Sequence, residues 1–146
     1  MDEIIEPTKK RLSLIDKIIL FILLLVFLFA FYVALDANKY KALVRVVAGS
    51  DKVGVNPTDQ ALDFGDLSRG TSAVRRVSIE NGTSLPLYVF AVRTGDIRTL
   101  IKLDKNYFRL APHTSDKMEF SIYMPASAEI DREYDGRVYL FKVPWL

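Results

Sequence analysis

The hydrophobic and polar positions along the chain follow two patterns that meet near residue 36. From Ile18 to Leu35 no residue is charged, and nearly all are Leu, Ile, Phe, Val or Ala. As an α-helix this run spans roughly 27 Å, close to the hydrocarbon thickness of a bilayer. Beyond it, short apolar or alternating segments are separated by turn residues, without a helical period. The chain is therefore predicted to be one transmembrane helix followed by one β domain.

These patterns divide the chain into four segments. Residues 1–17 are predicted to be a short cytoplasmic tail, in which Pro7-Thr8 is a helix-start signal, and residues 18–36 the transmembrane helix. Residues 37–49 are either a juxtamembrane segment or a first strand, and residues 50–146 form the β domain.

The basic residues that flank the apolar run indicate its direction. Four precede it and three follow it, namely Lys9, Lys10, Arg11 and Lys17, then Lys39, Lys41 and Arg45. The more basic flank is usually retained in the cytoplasm, and a long domain after a first apolar segment usually crosses the membrane. We expect a single-pass plasma-membrane protein with a cytoplasmic N-terminus and the β domain outside.

A cleaved signal peptide is the alternative for this run. Such a peptide needs small residues at two positions before its cleavage site. Neither residues 32–34 (YVA) nor residues 35–37 (LDA) provide both. An uncleaved anchor is therefore favoured.

The region after residue 40 is typical of an antiparallel β-sandwich. Seven or eight strands are predicted, at residues 41–47, 61–64, 72–80, 85–93, 97–103, 107–110, 117–124 and 137–143, the first of them optional. The residues expected to face the core are Leu62, Phe64, Val77, Ile79, Val89, Leu103, Phe120, Ile122, Val138 and Leu140. The predicted fold class is all-β, an immunoglobulin-like antiparallel β-sandwich preceded by one transmembrane α-helix.

Turn signals separate these strands. Gly65 and Gly70 bracket a predicted loop, and Asn81-Gly82 and Asp135-Gly136 predict tight turns. The segment 85–93 is apolar at both alternating sets of positions, so it is predicted to be a central strand that is buried on both faces.

Composition excludes several classes of function. The net charge is only +2, and the basic residues are scattered along the β region, which argues against a nucleic-acid partner. There is no cysteine, and therefore no disulfide framework, thiolate metal site or cysteine nucleophile. No glycine-rich phosphate loop is present. We expect no enzyme activity, no cofactor and no small-molecule substrate.

Two segments resemble functional motifs but lack essential parts of them. His113 is the single histidine, so a zinc site or a hydrolytic triad has no partners for it. Residues 131–136 (DREYDG) resemble the first half of a calcium loop, D-x-[DN]-x-[DN]-G, but Glu133 stands at its third position. Lys142 occupies the twelfth position, where a bidentate Glu belongs. We interpret these segments as an exposed loop and a solvated turn.

Surface features offer two further candidates. Asn81-Gly82-Thr83 is an N-glycosylation sequon on a predicted turn, so Asn81 is a candidate acceptor if the domain lies outside the cell. Tyr88, Tyr123 and Tyr139, or an exposed edge strand, provide a surface on which a partner strand can dock.

The order of the motifs resembles that of immunoglobulin-like domains of the ASPM–SPD-2–Hydin and major sperm protein type. The similar segments are LDFGDLSRGTSAVRRVSIENGTSLPLYV, FRLAPHTSDKMEFSIYMP and YDGRVYLF, within about residues 50–143. The resemblance implies a binding or scaffolding module without catalysis. An N-terminal anchor is not typical of that family. The resemblance therefore implies a small, membrane-anchored version of the domain, located outside the cell of an archaeon or, less readily, of a bacterium.

Two functions are compatible with these features. The first is a membrane-anchored module that binds another protein of the envelope or of a membrane complex, with the lipid bilayer as its other partner. The second is a β-sandwich subunit of a cell-surface machine, such as an archaeal motility, pilus or envelope complex. The second rests on architecture alone, because no motif is shared.

Overall fold

A computed structural model describes residues 12–49 and 61–145. Its elements are α1 (Leu14–Asp36), β1 (Asn38–Val47), β2 (Ala61–Ser68), β3 (Ser72–Glu80), β4 (Leu87–Gly95), a 3₁₀ helix (Asp96–Thr99), β5 (Ile101–Leu103), β6 (Phe108–Leu110), β7 (Ser115–Tyr123) and β8 (Glu133–Pro144). The chain separates into two compact units, Met1–Leu35 and Asp36–Leu146. Most of the predicted tail, with Pro7-Thr8, and the predicted start of the β domain at residues 50–60 lie outside the described residues.

Helix α1 begins at a reciprocal hydrogen-bonded cap. The Ser13 hydroxyl accepts a hydrogen bond from the Asp16 N–H (3.1 Å), and the Asp16 carboxylate accepts one from the Ser13 N–H (2.9 Å). Each side chain satisfies an N–H group that a helix start leaves without a partner. Ser13 is thus the N-cap residue, and the helix begins at the next residue, Leu14.

The composition of α1 is that of a membrane-crossing helix. None of its residues is buried, and its mean hydropathy reaches 3.2, which makes it the one described helix that is long and apolar enough to cross a bilayer. An anchor and a signal sequence share these properties. The prediction of a single apolar N-terminal helix is confirmed.

The domain that follows has two sheets with a shared core. The larger has the strand order β2-β1-β8-β4-β6, and the smaller has the order β3-β7-β5. Alternate residues of both sheets meet between them, and all ten predicted core residues belong to this core, with Val77 and Leu103 partly buried. The domain is therefore mostly β and sandwich-like, as expected.

The prediction of purely antiparallel sheets is wrong at one pair. Strands β1 and β2 run parallel, with Lys41 opposite Ala61, whereas the other described pairs are antiparallel. A parallel pair requires a connection of a dozen or more residues, and the chain between Val47 and Ala61 has that length. Alternation within a strand carries no information about the direction of its neighbour.

Strand β1 answers the question that the sequence left open for residues 37–49. It pairs with both β2 and β8 and buries Ala42, Val44 and Val46. Ala37 is also buried. The folded domain therefore begins at Asp36 and not at residue 50.

Two glycines predicted to lie in loops or turns lie inside strands. Gly65 has φ 70° and lies where the register between β1 and β2 shifts, between Leu43 and Arg45 of β1. It forms a bulge within β2, and the strand continues beyond it to Ser68. Gly136 lies within β8, opposite Gly95 of β4. A Cβ atom at Gly136 would lie 2.1 Å from the Thr94 carbonyl oxygen. These glycines permit a bulge and a close backbone approach, which turn statistics do not distinguish from a turn.

The predicted strand at residues 97–103 is only half correct. Its first residues form the 3₁₀ helix, which buries Ile97 completely, and the strand itself is Ile101–Leu103. Strand β7, by contrast, alternates as predicted and buries Met118, Phe120 and Ile122.

Candidate functional site

The outer surface of the larger sheet carries a continuous group of aromatic side chains. It arises because β4 and the second half of β8 carry apolar or aromatic residues at their outward positions as well as at the positions that face the core. Val89 and Ala91 of β4 are buried, whereas Tyr88 and Phe90 between them are half-buried and Val92 is exposed. The prediction that β4 is buried on both faces is therefore wrong.

The pairing of β4 with β8 brings the outward side chains of both strands together. Phe90 lies opposite Phe141, and their ring centroids are 5.1 Å apart. Tyr139 stacks on Phe141 from the neighbouring outward position, at 6.5 Å. Offset stacks at such distances are favourable beyond the area that they bury. The aromatic cluster is therefore a property of strand register.

A strained loop residue adds a further ring to this surface. Tyr107 has φ 60°, and its ring stacks on Phe90 at a centroid distance of 5.9 Å while remaining 63% exposed. Asn106 holds the loop in place, because its carboxamide accepts from the Ala91 N–H (2.8 Å) and donates to the Ala91 carbonyl (3.2 Å). The same oxygen accepts from the Tyr107 N–H (3.1 Å). A positive φ in a bulky residue is costly, and here it places an exposed tyrosine ring on the sheet.

The single tryptophan completes the group near the end of the chain. Its ring lies 5.9 Å from that of Tyr88, and its backbone N–H donates to the Pro86 carbonyl (2.8 Å). Trp145 is nevertheless 52% exposed. We call this surface the aromatic face; its members are Tyr88, Phe90, Tyr107, Tyr139, Phe141 and Trp145.

Basic side chains border the aromatic face. Lys39 lies opposite Tyr139 and Arg109 opposite Tyr88, while Lys41 and Arg137 lie opposite each other. All four are exposed. We call them the basic margin. The acidic outward residues of β8, Glu133 and Asp135, lie at the other end of that strand, where Arg45 of β1 is opposite Glu133.

The tyrosines predicted from the sequence are only partly brought together. Tyr88 and Tyr139 belong to the aromatic face, but Tyr123 ends β7 in the other sheet. Sequence reasoning missed Phe90, because it predicted β4 to be buried on both faces, and it gave no role to Phe141, Tyr107 or Trp145. The available signal was that a strand apolar on both faces occurs in a domain that is too small to cover both faces of both sheets.

Asn81, the candidate glycan acceptor, is a core residue. It is 2% exposed, and its Nδ2 donates to the carbonyls of Leu85 (2.9 Å), Leu110 (3.3 Å) and Ala111 (2.9 Å). Its Oδ1 accepts from the Thr83 N–H (3.0 Å) and hydroxyl (2.7 Å). A glycan on Nδ2 has no room in this arrangement. The predicted turn does form as a side-chain-supported turn, but it leads from one sheet to the other and is not a hairpin.

The other sequence candidates do not gather into a reactive site. His113 is exposed in a loop and has φ 55°. In residues 131–136, Asp131 pairs with Arg45 at 3.6 Å, and the chain becomes extended at Glu133, so it does not wrap around a cation. Among the residues that the structure describes, no group of His, Cys, Asp or Glu side chains is arranged to hold a metal ion.

The scattered arginines have separate structural contacts. Arg76 pairs with Glu119 across β3 and β7 (2.9 Å), and Arg75 donates to the Asp63 carbonyl at the edge of β2 (2.6 Å). Arg93 donates to the Ile101 carbonyl. These contacts tie neighbouring elements together, so Arg75, Arg76 and Arg93 do not form a common binding face.

Comparisons with known proteins add no assignment, since no protein family, curated protein or solved structure matches this chain.

Proposed function

We propose that this protein is a non-enzymatic, membrane-anchored binding module whose domain α1 holds at the outer surface of the plasma membrane. The observation that carries the proposal is the direct continuation of α1 into β1. Ala37 alone lies between the last residue of α1 and the first residue of β1, and it is buried in the domain. A membrane span joined to a domain in this way keeps the domain at the membrane surface.

The contacts of residues 36 and 37 also favour an anchor over a signal sequence. Within the domain, the Asp36 carboxylate lies 3.6 Å from Lys142 Nζ. Cleavage after Asp36 would remove this partner, and cleavage after Ala37 would also remove part of the core. A signal sequence is normally dispensable for the fold that follows it.

The resemblance to ASPM–SPD-2–Hydin and major sperm protein domains supports the binding role. The segments that carry it fall on β2 and β3, on β6 and β7, and on β8. We propose an immunoglobulin-like topology of that type for the two sheets, and an origin in a prokaryote, in keeping with the anchor.

The anchor is tested by isolating the protein from membranes in its native host. We expect an intact mass of 16.6 kDa, as for the whole chain, and retention in the membrane pellet after an alkaline wash. Loss of the first residues up to about position 36, with release of the domain, would contradict the proposal and show a signal sequence.

Direction is tested with single cysteines, because the natural chain has none. Leu12→Cys lies before α1, and Ser78→Cys is on an exposed position of β3. A membrane-impermeant maleimide should label Ser78→Cys on intact cells and Leu12→Cys only after lysis. The reverse pattern would place the domain in the cytoplasm.

The binding role is tested by co-purification from native membranes in a mild detergent. We expect a second envelope protein in a fixed ratio to this chain. Recovery of the chain alone would contradict that part of the proposal while leaving the anchor intact.

A further inference from the structure

Part of the aromatic face lies on residues of β8 that extend past the first residue of β1. Strand β1 starts at Asn38, which pairs with Leu140 of β8. Strand β8 continues past that level, and residues 141–145 therefore reach about 16 Å beyond Asn38, on the side from which the chain enters the domain. Those residues include Phe141 and Trp145, and β4 brings Tyr88 and Phe90 alongside them.

Chain length keeps this part of the sheet near the bilayer. If the span ends at Leu35, Asn38 lies within about 11 Å of its end, whatever the path of the intervening residues. The short connection therefore leaves the part of β8 beyond Asn38 within reach of the headgroups, where its exposed aromatic side chains can contact lipid.

The chemistry of the surface fits that location. Tyrosine and tryptophan rings favour the interfacial zone of membranes, because one end of each ring system is apolar and the other is polar. The basic margin offers lysine and arginine side chains to lipid phosphates. The acidic residues of β8, Glu133 and Asp135, lie at the far end of the strand, together with Arg45. The cations beside the rings, Lys39 and Arg109, have no acidic residue opposite them in the sheet.

From these observations we propose that the aromatic face and the basic margin bind the headgroup region of the membrane that holds α1, with a preference for anionic phospholipids. This inference rests on the proposed anchor. It makes the larger sheet a second, peripheral membrane attachment, which fixes the orientation of the domain on the bilayer. The outer face of the β3-β7-β5 sheet is then left for a protein partner.

Trp145 reports on this contact directly, since it is the single tryptophan. The full chain is reconstituted in vesicles of phosphatidylcholine and phosphatidylglycerol, with or without bromine on the acyl chains near the headgroup. We expect Trp145 emission to be roughly two-fold lower in the brominated vesicles, and aqueous iodide to have little effect, as for a ring in the interface.

A matched control moves the tryptophan to the other end of the domain. Tyr123 is exposed at the end of β7, where it pairs with Ser72 beside the turn that follows β2. In the Trp145→Phe, Tyr123→Trp variant, iodide should quench the emission and brominated lipid should not. Equal responses of the two tryptophans to brominated lipid would overturn the proposal.

A second variant separates lipid contact from proximity alone. Phe90→Thr with Phe141→Thr removes two outward rings but keeps residues that suit a strand. We expect lipid quenching of Trp145 to fall by half or more in this variant, and unchanged quenching would contradict the proposal. Protection of Trp145 from both lipid bromine and iodide would also overturn it, in favour of a protein or a second copy on this face.

Flotation of the same vesicles distinguishes failure of this inference from failure of the anchor. A chain that floats with the vesicles but leaves Trp145 open to iodide contradicts only the aromatic-face proposal. A chain that does not float contradicts the anchor itself.

Discussion

At the scale of single residues, Asn81 shows how one side chain can join several elements. Its carboxamide N–H groups donate hydrogen bonds to carbonyls just before β4 and at the end of β6, and Asn81 itself follows the last residue of β3. No buried side-chain nitrogen or oxygen in the described residues lacks a hydrogen-bond partner. Removal of the Asn81 side chain would therefore leave polar groups around it without one.

We predict that Asn81→Ala destabilises the protein by about 3 kcal/mol, because three carbonyls and the Thr83 groups lose a buried partner. The measurement is urea unfolding of the full chain in detergent. Asn38→Ala is the control, since Asn38 is exposed and its Nδ2 donates to the Tyr40 hydroxyl on the surface (3.2 Å). Equal effects of the two substitutions would contradict the structural role. Peptide mass analysis of the native protein should find Asn81 unmodified.

Three glycines provide a graded test of backbone geometry. A Cβ at Gly136 would meet backbone atoms, Gly70 has open space but φ 78°, and Gly82 has open space without a positive φ. We predict that Gly136→Ala costs about 3 kcal/mol, Gly70→Ala about 1 kcal/mol and Gly82→Ala close to none. Thermal unfolding of the three variants measures the order, and a Gly82→Ala effect as large as that of Gly136→Ala would contradict this account.

At the scale of elements, the loop between β5 and β6 is tied to β7 by polar contacts. Asp104 and Glu119 exchange hydrogen bonds, and Lys105 Nζ pairs with the Asp116 carboxylate. The hydrogen bond from Lys105, together with the Lys117 N–H, holds the pKa of Asp116 below its usual value of 3.8. The carboxylate form is therefore favoured by the fold.

This lowered pKa predicts a specific dependence of stability on pH. A carboxyl whose pKa is lower in the folded state stabilises the fold above its unfolded pKa, and this contribution disappears as pH falls through the folded pKa. The pair is partly exposed, so we expect Asp116→Asn to cost less than about 1 kcal/mol near neutral pH. Thermal unfolding of both proteins from about pH 6 down to about pH 2 should show the difference vanish. A constant difference would contradict the assignment.

The elements themselves were largely predictable, but their surroundings were not. Strands β3 and β7 alternate so regularly that their inward and outward positions follow from period two, although β7 begins two residues earlier and ends one residue earlier than predicted. Strand β4 was predicted as a strand but with the wrong burial, because an apolar side chain does not reveal whether another layer covers it. Gly136 was predicted to lie in a turn for a related reason. Its partner in the sheet, Gly95, is distant in the chain, so the close approach of the two strands is not visible in the sequence.

At the scale of the whole molecule, the chain consists of two compact units, Met1–Leu35 and Asp36–Leu146. The core of the domain is formed by residues between Ala37 and Leu140, all within the unit Asp36–Leu146. The apolar residues of α1 are not part of it. The stability of the domain should therefore not depend on the helix.

We predict that the fragment Asp36–Leu146 folds by itself and unfolds in one cooperative transition. Its midpoint should agree with that of the full chain in detergent to within about 3 °C, followed by near-ultraviolet circular dichroism. A fragment without fixed tertiary signal would show that the anchor is needed for folding.

The sequence by itself determined the apolar helix, the β class of the domain and the identity of its core, because these depend on local periodicity and hydrophobicity. Only the tertiary structure decided the parallel pairing of β1 with β2, the burial of Asn81 and the exposure of the aromatic face. Each of these depends on which residues lie opposite one another across strands that are distant in the chain. That register places rings from β4, β8 and the loop before β6 on one surface.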